Sequence, residues 1–100
     1  MISVNNNRIQ IAKGDSGSIL LELPFANNNE YVMSIYDGDE EVLVLYSHRV
    51  IDNKVEFIID SFALDGFEEK QYGCYISYFN EYGERTVSNV IRFMVIKGLK

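Results

Sequence analysis

Apolar and polar residues alternate with a period of two along most of this 100-residue chain. Ile19, Leu21 and Leu23 would share one face of a strand, and Leu20 and Glu22 would share the other. The same alternation recurs in four other segments, at residues 8–12, 31–36, 55–60 and 72–79. A period of two is typical of β-strands with one buried face. We therefore predict that the strand containing Leu21 lies in the middle of the core.

Turn-forming residues separate these apolar segments. The sequence Gly14-Asp15-Ser16-Gly17 predicts a tight structural turn in which the Asp15 and Ser16 side chains accept hydrogen bonds from nearby backbone N–H groups. Acidic residues at 37–41 and the Gly83 region at 80–84 predict hairpin turns. Around residues 61–68 the apolar spacing is three to five, which predicts one short helical crossover that Gly66 keeps from lengthening.

Strand and turn signals alternate about every eight to twelve residues, and about seven or eight short strands are expected. This spacing predicts an all-β, antiparallel β-sandwich or small barrel formed by a single domain, residues 1–100. In the last strand, residues 85–96, the apolar parity shifts near Asn89, which predicts a β-bulge. Tyr72 and Cys74 have the Tyr-x-Cys spacing of an immunoglobulin strand, without the second cysteine and the core tryptophan.

Composition excludes several classes of protein. The apolar runs are far shorter than the ~20 residues that span a bilayer, and the N-terminus lacks the pattern of a signal peptide. The formal net charge is −6, from 9 Lys and Arg against 15 Asp and Glu, and no basic stripe occurs. We therefore expect no nucleic-acid partner and no membrane association. The single cysteine, Cys74, excludes an internal disulfide and fits a reducing compartment such as the cytoplasm.

The acidic turn Asp37–Glu41 is the best metal candidate in the sequence. An EF-hand loop that started at Asp37 would need Gly at its sixth position and Glu at its twelfth, where this chain has Val42 and His48. We therefore predict a solvated hairpin turn and no metal site, with a looser calcium site between loops as the alternative.

Candidate catalytic groups are few. His48 is the single histidine, and a Cys–His nucleophilic pair would require it to meet Cys74 beside a third, orienting group. Gly14–Gly17 also matches the Gly-Asp-Ser-Gly sequence around the nucleophile of chymotrypsin-like proteases, but one histidine and 100 residues do not supply that triad or that fold. We predict no catalytic residue, no cofactor and no enzymatic activity.

Aromatic residues are plentiful, with 7 Tyr and 6 Phe. Strand parity predicts exposure for Tyr36, Tyr75, Phe79 and Tyr82. Exposed rings serve as anchors in protein interfaces, and they also stack on sugars. We therefore predict a module that acts through protein–protein contacts, with a carbohydrate-binding or cell-surface adhesion module as the alternative.

Four stretches add a resemblance to a known family, at residues 9–19, 53–59, 72–76 and the pair 83–87 with 91–95. They resemble the N-terminal immunoglobulin-like domain of phage baseplate and tail proteins of Gram-positive hosts, the upper-baseplate-protein type. The chain departs from that family at Glu69-Lys70-Gln71, where a glycine usually stands before the tyrosine, and at Tyr75, where an acidic residue is common.

The resemblance implies an immunoglobulin-like sandwich in a phage or prophage tail. It implies contacts with other tail subunits or with copies of itself as a homo-oligomer, and a location in the virion or the bacterial cytoplasm. The family supplies no catalytic residues.

Overall fold

A computed structural model describes residues 2–5, 8–23, 30–79, 82–87 and 91–98. Those residues form nine β-strands and no helix. The strands are β1 (Ile2–Asn5), β2 (Arg8–Ala12), β3 (Gly17–Glu22), β4 (Tyr31–Asp37), β5 (Glu40–Ile51), β6 (Lys54–Ile59), β7 (Gln71–Phe79), β8 (Arg85–Val87) and β9 (Ile91–Ile96). The predicted all-β class is confirmed.

The strands join in the order β1-β2-β9-β7-β4-β5-β6-β3, with β8 beside β7. β5 makes this one continuous sheet, because its first half pairs with β4 and its second half with β6. β1 lies beside β3, where Gly17 faces the Ile2 side chain, so the sheet curls almost into a closed barrel. Two separate sheets are therefore not distinct in the described chain.

The strand pairs are antiparallel except for β2 and β9, which run parallel. The expectation of a purely antiparallel sheet was wrong on this point. Tight turns fix adjacent strands as antiparallel, whereas β2 and β9 are separated by most of the chain, so no hairpin constrains their direction.

The core is built from the inward faces of these strands, as the period of two predicts. Ile19 and Leu21 of β3 are buried, and Leu23 just beyond the strand is half-buried. The largest fully buried side chains include Tyr31, Phe57 and Phe93. The predicted inward face of the Leu21 strand is confirmed, although β3 stands at the end of the strand order and not in its middle.

Two-residue hairpin turns position β4, β5 and β6. Asp52 and Asn53 both have positive φ, 48° and 65°, as a type I′ turn requires. Gly38 has φ 62° at the first central position of the β4–β5 turn, where a type II′ turn needs glycine. These turns match the right-handed twist of the strands, so they fix the register of three successive strands.

The predicted helical crossover near 61–68 was wrong. Residues 61–66 form a series of reverse turns in which the carbonyls of Asp60, Phe62 and Leu64 accept bonds from the N–H groups three residues later. The Asp60 carboxylate also accepts the Phe62 N–H at 2.9 Å, a local bond that closes the first of these turns. The buried Leu64 then anchors the crossover to the core.

The predicted last strand, residues 85–96, is divided into β8 and β9 on the same edge of β7. Val87 pairs with Ser77 and Ile91 pairs with Cys74, so three residues on one side span two on the other. The register therefore shifts by one residue, as a bulge would require. Asn89 itself, where the bulge was predicted, lies outside the described residues.

Gly98 makes a close backbone approach that gives a stability prediction. A Cβ atom at this position would overlap the carbonyl oxygen of Lys13. That oxygen belongs to the backbone, so it cannot move aside as a flexible side chain could. The Lys13 N–H donates to the Ile96 carbonyl at 3.0 Å, so the clash would push apart the end of the β2–β9 pair. We expect Gly98→Ala to lower the free energy of unfolding by about 1–3 kcal/mol, measured by urea denaturation.

Gly66→Ala is the matched control, because a Cβ atom there meets nothing within 4 Å. Its expected effect is within about 0.5 kcal/mol. Equal losses for the two variants would contradict the close approach at Gly98.

Candidate protein-interaction surface

The Gly14–Gly17 segment is placed as a turn between β2 and β3. The Asp15 N–H donates to the Ala12 carbonyl at 3.1 Å, and β3 begins at Gly17. Gly14 has φ 89° and Gly17 has φ 145°, both in the region that favours glycine. This backbone geometry explains why glycine stands at both positions. The Gly-Asp-Ser-Gly sequence is therefore explained by the turn, without a catalytic role.

The acidic turn borders an open cleft of about 420 Å³ between the β4–β5 hairpin and residues 66–68. At its edge the Lys70 ammonium donates to both oxygens of Asp37, at 2.9 and 3.0 Å, and lies 5.3 Å from the centre of the Tyr72 ring. The hydrogen bond to Asp37 raises the pKa of Lys70. No group of three or more His, Cys, Asp or Glu side chains in the described ranges could hold a metal ion.

Cys74 and His48 occupy different environments. Cys74 lies on the inward face of β7 with no exposed surface, and burial raises the pKa of its thiol to about 12. His48 is exposed on an irregular part of β5, beside the register shift between Ser47 and Arg49. Because a thiol with this pKa stays protonated near neutral pH, Cys74 is a core side chain rather than a nucleophile.

Glu56 forms a polar cluster that the sequence analysis missed. It points away from the core on β6, yet only 6% of its surface is exposed. Ser18 Oγ donates to one carboxylate oxygen at 2.7 Å, and Arg49 Nε donates to the other at 2.8 Å. These two bonds, Ser18 first, lower the pKa of Glu56. The cluster connects β3, β6 and β5 through side-chain hydrogen bonds. In the sequence, only the outward position of Glu56 on its strand indicated that it could form such bonds.

Three of the four predicted interface aromatics, Tyr36, Tyr75 and Phe79, lie on one side of the sheet. We call this side the outer face: the surface of β2, β9, β7, β8, β4 and the first half of β5 that points away from the core. Tyr36 and Tyr75 are half-buried there, in an edge-to-face contact with 5.8 Å between ring centres. Phe79 is 60% exposed at the end of β7, and Tyr82 is 79% exposed in the following turn. Residues 80 and 81 of that predicted turn lie outside the described residues.

Further apolar residues on the outer face became visible only through strand register. Val87, Ser77, Val32 and Tyr46 form one row across four neighbouring strands. Tyr46 is 64% exposed, whereas Ser77 in the same row is almost buried by its larger neighbours. The sequence pattern does not reveal this row, because neighbouring strands and their register are set by tertiary pairing.

The outer face is more apolar than a solvated sheet face usually is. Antiparallel sheets with one wet face normally carry polar residues on it. Here the outward positions include half-buried or exposed valine, tyrosine, phenylalanine and methionine, at Val32, Val44, Tyr75, Phe79, Val87 and Met94. Tyr, Phe, Met and Arg are the residue types that protein interfaces favour.

None of the described segments is a helix with the length and apolar character to cross a membrane. Comparisons with known protein families, with curated proteins and with solved structures found no match to this chain.

Proposed function

We propose that this protein is a non-catalytic building block that binds other protein subunits, copies of itself included, through its outer face. The observation that carries this proposal is the run of apolar and aromatic side chains on the outward side of β4, β5, β7 and β8. Water is a poor solvent for such a face, so covering it with a second protein surface is favourable.

The resemblance to baseplate domains extends this proposal to a phage or prophage tail, with the chain in the virion or, before assembly, in the bacterial cytoplasm. Three strand pairs support an immunoglobulin-like arrangement. β3 pairs with β6, as strands B and E do in that fold. β4 pairs with β7 and β7 with β9, as strands C, F and G do.

Solution mass tests the proposal. We expect the purified protein to sediment as a homo-oligomer at micromolar concentration, and Phe79→Ser or Tyr46→Ser to shift it toward the monomer. Each substitution removes an exposed ring from the outer face, and buried aromatic anchors typically contribute 2 kcal/mol or more, about thirtyfold in affinity.

Ile58→Ser is the matched control, because Ile58 is exposed on β6, away from the outer face. Its mass should equal that of the wild type. A wild-type protein that stays monomeric would overturn the proposed self-association, and equal effects at Phe79 and Ile58 would overturn the assignment of the surface.

A carbohydrate-binding or adhesion module is the second candidate, favoured by the exposed rings of Phe79 and Tyr82. Stacking on a sugar needs an accessible aromatic face. A glycan array provides the test: binding that Phe79→Ser or Tyr36→Ser abolishes would support this candidate. An array without hits would remove it.

A further inference from the structure

One row of residues crosses the outer face from a positive end to a negative end. Strand register places Arg8 beside Arg92, Arg92 beside Gly73, Gly73 beside Tyr36, and Tyr36 beside Glu41. Their side chains alternate with the core residues of the same strands, so all five positions face outward. The charged residues at the two ends of the row are exposed.

The positive end of the row has no acidic partner within the described chain. Arg8 and Arg92 are directly paired neighbours on β2 and β9, and no salt bridge joins either one to a described acidic side chain. Like charges placed side by side on a sheet are unfavourable. In a chain of net charge −6, an external acidic group would therefore stabilise these two adjacent arginines, which have no salt bridge among the described side chains.

Gly73 stands at the centre of the row, and no contact among the described residues requires a glycine there. Its φ is not among the positive values, and a Cβ atom there would meet nothing within 4 Å. Glycine weakens a strand interior, and it often marks a place where another backbone approaches closely. The space above Gly73 is thus suited to close contact with a second protein surface.

We propose that the outer face packs against the same face of a second copy, about a two-fold axis that runs along β7 through Gly73. This axis lies between the two faces and is parallel to β7. A rotation of 180° about it places the positive end of one row opposite the negative end of the other. Arg8 then meets Glu41 of the other copy, Arg92 lies over the other Tyr36, and the two Gly73 backbones meet. An axis perpendicular to β7 in the same plane would instead place arginine against arginine.

The charge pattern favours a second copy of this chain as the partner. When the row of the second copy runs in the opposite direction, its negative end lies against the positive end of the first. Arginine pairs well with a carboxylate and stacks well on a tyrosine ring.

This inference rests on the proposed function, since it specifies how the outer face binds a second copy. Charge reversal tests it. We expect Arg8→Glu and Glu41→Arg each to weaken dimerisation by about tenfold or more, measured by analytical ultracentrifugation. The double variant Arg8→Glu/Glu41→Arg should recover the affinity, because both ion pairs are restored with their signs exchanged. An equimolar mixture of the two single variants should form a heterodimer for the same reason.

Lys54→Glu and Glu69→Arg are the matched controls, because both residues are exposed at positions off the outer face. Both should dimerise as the wild type does. Gly73→Val is an independent test. The valine should leave the melting temperature of the monomer unchanged or higher, because valine favours strands. It should also abolish the dimer, because its side chain blocks the close approach of the two backbones.

The outcomes separate this inference from the proposed function. Suppose that the wild type forms an oligomer, that the Phe79→Ser variant is monomeric, and that the double charge variant dimerises as weakly as the single variants. The two-fold packing is then wrong, and the outer face remains the interaction surface. A Gly73→Val variant that dimerises normally would also overturn the packing. A wild-type protein that is monomeric throughout would overturn both.

Discussion

Replacing Phe57 by alanine is expected to lower the free energy of unfolding by about 3–5 kcal/mol. Phe57 is fully buried on the inward face of β6, between the Ile19 position of β3 and the Ser47 position of β5. The substitution removes the contacts of the ring with the core and leaves a cavity that the surrounding strands cannot fill. Chemical denaturation followed by tyrosine fluorescence measures the loss.

The neighbouring residue provides the control for Phe57. Ile58 is 48% exposed on the opposite face of the same strand, so Ile58→Ala should cost less than about 1 kcal/mol. A domain of this size has about 5–15 kcal/mol of stability, so Phe57→Leu, with an expected loss below about 1.5 kcal/mol, gives a folded comparison. A larger loss at position 58 than at position 57 would mean that the two faces of β6 had been assigned the wrong way round.

Alkaline pH is expected to destabilise the protein through Cys74. Burial raises the pKa of its thiol to about 12, against 9.0 for the unperturbed group. Below pH 9 both the folded and the unfolded chain keep the proton, so the thiol does not affect the pH dependence. Between pH 9 and 12 the unfolded chain releases the proton and the folded chain retains it. The free energy of unfolding therefore falls by about 1.4 kcal/mol per pH unit in that window, on the order of 3–4 kcal/mol in total.

Cys74→Ala isolates this effect, because tyrosine and lysine side chains also titrate at alkaline pH. The alanine variant is less stable at pH 7, since it leaves a small cavity, but its stability should decline less steeply above pH 9 than that of the wild type. Urea denaturation at half-unit steps from pH 7 to 11 compares the two slopes. Parallel curves would show that the thiol is not desolvated in the folded protein.

The positions of the strands and of the core could be predicted from the sequence because both follow from local pattern. Ile19, Leu21 and Phe57 alternate with polar neighbours, and a period of two leaves little choice about which side is buried. Asp52 and Asn53 both tolerate positive φ, and the structure uses them in this way for a hairpin.

Features that depend on distant pairing could not be predicted in the same way. The parallel contact of β2 with β9 joins residues more than eighty positions apart. The local sequence of either strand does not indicate which strand it pairs with. The apolar spacing at 61–68 fits one helical turn as well as it fits a series of reverse turns. The backbone bonds there join residues three apart and not four, as reverse turns do.

The candidate surface was only half visible from the sequence for the same reason. Strand parity predicted exposure for Tyr36, Tyr75, Phe79 and Tyr82, and the first three lie on the outer face. Val87 joined them only when the register was known, because β8 is offset by one residue from β9. Tyr46 joined them because the β4–β5 register, with its shift between Ile35 and Tyr36, places it beside Val32. Glu56 was missed because its burial depends on Ser18 and Arg49, which other strands bring to it.

The parallel β2–β9 pair has a mechanical consequence. Tension applied across the domain would pull β2 from its Arg8 end and β9 from its Ile96 end, and these ends lie at opposite limits of the paired segment. The hydrogen bonds of the pair would then be loaded together in shear, rather than one after another as in the antiparallel β1–β2 hairpin. A subunit held between neighbours in an assembly under load would lose β1 first and then resist at β2 and β9.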